Sequence, residues 1–103
     1  MEISNVINSR RSIRKYLPDP VSVEQIKALI SAAVNAPSGC NSQCWHFTVM
    51  NSKEKIEALA EAAEAGVRRV YAQADDEAFL AGRVKQTTFF HKAPVVICVF
   101  MTE

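Results

Sequence analysis

Apolar residues recur along the chain at two different periods, and the change from one to the other separates predicted helices from predicted strands. Over 23–35 they fall at Ile26, Leu29, Ile30, Ala33 and Val34, the three-and-four spacing that gathers them on one helical face. Ser22 precedes this run and Gln25 stands three residues later. That pair predicts a capping box, in which the hydroxyl accepts from the Gln25 amide while the Gln25 side chain reaches back. Ile56, Leu59, Ala60 and Ala63 repeat the pattern in a helix predicted to reach about residue 65. Asn51 and Glu54 would form its capping box and Gly66 its stop. Ile3, Val6 and Ile7 give a short amphipathic helix over 2–9. A further helix is predicted over 76–84, with Asp75, Asp76 and Glu77 at its positive end. Residues 67–76 before it are ambiguous and 85–92 have no clear period.

Two stretches read as strands. Residues 45–50 form a short apolar run, and 93–101, Ala-Pro-Val-Val-Ile-Cys-Val-Phe-Met, are continuously apolar and rich in β-branched residues. The second predicts a strand buried on both faces inside a sheet. An interior strand needs a neighbour on each side to satisfy its amides and carbonyls, and the sequence offers one. The expectation is that another chain supplies the second neighbour, or that this sequence is the first part of a longer protein. Helix, loop, strand, helix, strand implies an α+β or α/β layering. With no repeat or linker, 1–103 is expected to be a single domain.

The stretch between the best helix and the first strand, 36–47, is Ala-Pro-Ser-Gly-Cys-Asn-Ser-Gln-Cys-Trp-His-Phe. Pro37 is expected to end the helix, since proline disfavours helical angles in the residue before it. Gly39 is expected to adopt angles that other residues avoid, letting the loop approach a partner closely. Amide and hydroxyl groups followed by Trp45 suit either a plain connection or a ligand-contacting loop.

Composition narrows the possibilities. The chain has 103 residues, 49% hydrophobic and 22% charged, with net charge +1. That is a globular balance with no general electrostatic case for nucleic acid or an anionic membrane. The longest apolar run is well short of the about 20 residues a spanning helix needs, and no secretory leader pattern opens the sequence. Cys40, Cys44 and Cys98 match no zinc or thioredoxin spacing. They read as reduced thiols, with a cytoplasmic location as the default.

Charge is concentrated locally, at Arg10, Arg11, Arg14 and Lys15. A guanidinium is a planar fork of donors that fits a phosphate bidentately and keeps its charge. In an extended segment Arg10, Ser12 and Arg14 would share one face, with Ile13 turned inward, giving two cations and a hydroxyl for a terminal phosphate. The plainer alternative is that these cations complement the end of the first helix and sit in water. The three glycines are scattered singly, which excludes the glycine-rich phosphate loops. His46 and His91 lack metal-ligand spacing. Cys44 and His46 are two apart, so parity allows a thiol–imidazole pair. No third orienting group or oxyanion device accompanies it.

Arg10-Arg-Ser-Ile-Arg-Lys-Tyr16, the Pro-Val-Ser before the second helix, Ala-Pro-Ser-Gly-x-Asn-Ser-Gln-x-Trp-x-Phe and Lys92-Ala-Pro-Val-Val-Ile occur in that order. Together they resemble the amino-terminal half of the FMN-dependent nitroreductase family, over 6–100. The resemblance implies an α+β fold, a sheet flanked by helices, incomplete in this chain. It implies an intertwined homodimer with two FMN sites at the subunit interface. Arg10, Arg11, Ser12 and Arg14 would hold the FMN phosphate. Pro37, Ser38, Gly39 and Asn41 would approach the flavin, typically from the other subunit. The implied reaction takes a hydride from NADH or NADPH to the flavin and passes electrons to a nitro compound, quinone or similar small-molecule acceptor. The redox chemistry belongs to the cofactor, so no residue is assigned as catalytic acid or base.

Two features depart from the family pattern. Cys44 stands where a proline usually precedes the Trp, which removes a fixed φ. The family's later glycine-rich segment and basic residue, which complete the flavin site, have no match here. The expectation is a half-site. The competing readings are a non-catalytic remnant or dimerising interaction module, and a thiol enzyme using Cys44 or Cys40.

Overall fold

The computed structural model describes residues 2–102. Their elements run α1 (Ile3–Ser9), α2 (Val23–Ala33), β1 (Trp45–Met50), α3 (Lys53–Val70), α4 (Glu77–Thr87) and β2 (Val96–Met101), with one 3-10 turn at Gly39–Asn41. The strands pair antiparallel, with Trp45 opposite Met101, Phe47 opposite Val99 and Val49 opposite Ile97. Parallel strands joined by helices would have made an α/β unit; the antiparallel ladder makes this an α+β fold.

The capping box of α2 forms as the sequence requires. Ser22 Oγ accepts from the Gln25 N–H at 3.1 Å and Gln25 Oε1 accepts from the Ser22 N–H at 2.9 Å. The helix gives way at Val34, and the amides of Asn35 and Ala36 turn back to Ala32 and Ala33 before Pro37 removes the next donor.

The other helix limits differ from the sequence expectation. α3 does not stop at Gly66 but continues to Val70, and its cap is Ser52 without a side-chain bond, not Asn51. A glycine ends a helix by turning left-handed, and no glycine here has positive φ. Gly66 stays helical at a cost of about 1 kcal/mol relative to alanine. Glu64 pairs with Arg68 across that turn at 3.3 Å, and Arg68 and Arg69 complement the helix end. At α4, Asp76 accepts from the amides of Ala78 and Phe79 at 3.0 and 3.3 Å. The helix runs past residue 84 to Thr87. The Thr87 and Thr88 hydroxyls each donate at 2.8 Å, to the carbonyls of Arg83 and Val84.

α4 packs on α3. Arg68 of α3 also reaches Glu77 of α4 at 3.3 Å. Tyr71 meets Phe79 edge to face at 5.3 Å, and Arg83 lies over both rings at 5.7 and 5.4 Å.

Burial is sparse. Among the described residues Ile26, Ile56 and Ala60 are the buried hydrophobics, with Ile56 1% exposed. The face of α2 was expected to be covered, yet Leu29 is 59% exposed. The two-sided burial expected of the last strand is also absent: Val99, Phe100 and Met101 are exposed. Among the described residues β2 has one strand neighbour, so an edge and part of its surface have nothing against them there. The radius of gyration is 16.9 Å, against about 13 Å for a compact chain of this length. The accessible surface is 8598 Å², about half as much again as a compact monomer of this mass exposes.

Candidate functional site

The arginine segment begins where α1 ends. Arg10 is the terminal cap, with extended backbone (φ −60°, ψ 136°) and its N–H on the Val6 carbonyl. Arg11 Nη1 donates to the carbonyls of Asn8 and Arg10 at 3.1 and 2.8 Å. Its donors thus satisfy acceptors at the end of α1, as the plainer reading of the cluster held. Arg10 and Arg14 make no ion pair among the described residues, and Ser12 between them is exposed. Ile13 does not turn inward as expected; it is 69% exposed, because no apolar surface of this chain lies against it.

Arg14 alone of the segment reaches a cleft. It lines a cleft of about 430 Å³ with Arg68 of α3, with Val84 and Lys85 of α4, and with Phe89 and His91 just beyond α4. Sequence reasoning gave Arg68 and Lys85 no site role. It weighed His91 only as a metal ligand or, with Phe89 and Phe90, as core or a site edge. All three lie far from Arg14 in the chain and in segments without a readable period. Hydrogen bonds to Glu64 and then Glu77 push the Arg68 pKa up, which holds firmly charged a group already ionised at any ordinary pH. His91 Nδ1 lies 2.9 Å from the Thr88 carbonyl. A carbonyl only accepts, so Nδ1 carries the proton.

The loop holding Pro37, Ser38, Gly39 and Asn41 is folded on itself. The Asn41 N–H donates to the Ser38 carbonyl and the Ser42 N–H to the Gly39 carbonyl, both at 3.0 Å. Ser38 Oγ accepts from the Gln43 N–H at 3.1 Å. Cys40, Asn41 and Gln43 have φ of 52°, 55° and 51°. The expected role of Gly39 is thereby corrected: its neighbours take the left-handed angles and it does not. A Cβ built on Gly39 meets nothing within 4 Å. The cleft at Arg14 is lined by no residue of this loop, so the two candidate segments are not brought together there.

Other chemistries gain nothing from the geometry. Among the described residues no hydrogen bond joins Cys44 to His46, no group of three His, Cys, Asp or Glu is placed to hold a metal, and no helix is long and apolar enough to cross a membrane. The three thiols are free.

Comparison with known proteins gives these segments a context. The profile of the Nitroreductase family matches residues 7–103, and the chain belongs to that family. It is 41% identical over 61 residues to a putative NADH dehydrogenase/NAD(P)H nitroreductase of Archaeoglobus fulgidus, covering 59% of this chain and 35% of that one. Its fold matches a BluB-like flavoprotein from Clostridium difficile with a TM-score of 0.75 at 34% identity, over 98% of this chain and 49% of that chain. An FMN-dependent nitroreductase of the same species aligns with a TM-score of 0.72 at 32% identity, over 93% of this chain and 42% of that one. The chain thus spans about a third to a half of the length of these relatives.

Proposed function

We propose that this chain supplies part of an FMN site in an oxidoreductase of nitroreductase type, using NADH or NADPH as donor and a nitro, quinone or similar small molecule as acceptor. The observation that carries the reading is the state of the arginine segment. Arg11 is engaged at the end of α1, whereas Arg10, on extended backbone, and Arg14, with Ser12 between them, have no acidic partner among the described residues. Unpaired guanidinia and a free hydroxyl are the donor set a phosphate monoester requires. The FMN-dependent relative supports the choice of flavin.

FMN, when bound, supplies the redox chemistry. The chain's part is to bind and place it. Arg10, Ser12 and Arg14 fix the phosphate by charge and hydrogen bonds. The loop at Pro37, Ser38, Gly39 and Asn41 offers backbone without a side chain at Gly39, so a flat ring can lie close to it. The bonds that Ser38 accepts from the Asn41 and Gln43 amides hold that loop folded.

A homodimer accounts for the surface left bare. The excess area described above is of the size obligate subunit interfaces bury, and Leu29, Val99, Phe100 and Met101 are part of it. A second copy would also bring its own loop toward the arginine segment. Free thiols suit a reducing compartment, and the cytoplasm is the location that goes with this proposal.

The test is direct. The purified chain should bind added FMN, showing a flavin absorbance band and quenched flavin fluorescence, and light scattering should report a dimer. A colourless chain that leaves FMN free sinks the reading. The same exposed surface favours a second reading, a dimerising module that binds flavin without turnover. A flavin-loaded dimer that NADH and NADPH both fail to bleach selects it.

A further inference from the structure

We propose that Lys85 is a phosphate-binding residue, and that the cleft it shares with Arg14 takes a phosphate monoester joined to a flat or apolar body. The proposal rests on the reading of Arg14 as a phosphate ligand and adds a residue that the arginine segment does not contain. Arg14, Arg68 and Lys85 arrive at the cleft from three separate parts of the chain, and among the described residues no Asp or Glu lines it. Arg68 is paired with Glu64 and Glu77 at 3.3 Å each, so it adds rigid donors and little net charge. Arg14 and Lys85 have no carboxylate within ion-pair distance among the described residues, and their charge is uncompensated. His91 Nδ1–H donates to the Thr88 carbonyl, which leaves Nε2 without a hydrogen-bond partner among the described residues.

The remaining lining is apolar, chiefly Val84 and Phe89, with Phe89 partly exposed. A volume of about 430 Å³ lies within the range of small-molecule sites, roughly 300–1,000 Å³. Inorganic phosphate alone would use the cations and leave the apolar wall wet. A phosphate carried on an aromatic body uses both. Two such ligands are within reach of the proposed activity, the phosphate of FMN and the extra phosphate that distinguishes NADPH from NADH.

The experiment compares affinities of the chain for FMN against riboflavin and for NADPH against NADH, in the unaltered protein and in Lys85→Gln and Lys85→Arg. A charge-assisted hydrogen bond lost from a phosphate lowers affinity by about tenfold or more. Lys85→Gln is therefore expected to weaken the phosphorylated member of one pair by that factor and leave its unphosphorylated counterpart unchanged, with Lys85→Arg restoring most of the loss. Which pair responds tells whether the phosphate is that of the flavin or of the nicotinamide donor. If FMN binds and Lys85→Gln changes neither pair, or weakens both members equally, the role of Lys85 is overturned while the flavin reading stands. If the unaltered chain binds none of the four ligands, both readings fall. Lys85 is exposed, and an unchanged melting temperature in Lys85→Gln confirms that folding is intact.

Discussion

The carbonyl of Cys44 accepts two hydrogen bonds from Thr102, one from the backbone N–H at 2.6 Å and one from the hydroxyl at 2.8 Å. The exit of the candidate flavin loop is therefore fastened to the far end of β2. Thr102→Val keeps the first bond and loses the second. It is expected to lower stability by roughly 0.5–1 kcal/mol, measured by urea denaturation, with Thr102→Ser recovering the loss.

At Gly39 an effect on folding can be told apart from the proposed flavin contact. Its backbone is not left-handed and a Cβ there meets nothing within 4 Å. Gly39→Ala should leave stability unchanged or raise it by about 0.4–1 kcal/mol, through the unfolded chain. If the proposed flavin contact is made, FMN affinity should fall in the same variant, because the added methyl would stand in the way of the ring. Equal FMN affinity at equal melting temperature would remove Gly39 from the site.

Restoring the family's usual proline is expected to harm this chain. Gln43 has φ 51°, and a following proline drives its neighbour to extended angles. Cys44→Pro would then pull the Gln43 N–H from Ser38 Oγ, now 3.1 Å away. The expected loss is about 1–2 kcal/mol, read from chemical denaturation. A gain in stability would show that the loop tolerates an extended Gln43.

Ser22→Ala removes the acceptor for the Gln25 amide in the capping box of α2. The expected cost is about 1 kcal/mol. For a domain of this size that is a fall of about 4–8 °C in Tm, measured by calorimetry.

What could be read from the sequence was local. Ser22 and Gln25 are three residues apart and their bonds depend on nothing else, so that cap was legible. The strand positions followed from β-branched runs, and the family from short motifs in order. The fate of Ile13 and Leu29 was not legible, because burial depends on a surface that must come from somewhere else, and this chain does not supply it. Gly66 was misjudged because a glycine ends a helix only when the backbone turns left-handed there, which neighbouring pairs such as Glu64–Arg68 oppose. The cleft at Arg14 was invisible for a different reason. Arg68, Lys85 and His91 converge on it through the packing of α4 on α3, and no periodicity encodes that convergence.

The antiparallel sheet also sets an order of events during synthesis. β1 and β2 pair across the whole of α3 and α4, so the ladder closes a long loop and gains its bonds only after that closure has cost its entropy. The α3–α4 unit is local and can assemble first. On the ribosome, β1 waits with Trp45 and Phe47 uncovered until residue 101 has emerged, and throughout that interval its backbone is open to any other strand. A nascent chain halted before Val96 leaves β1 without its β2 partner, and is expected to aggregate more readily than the chain that has added β2.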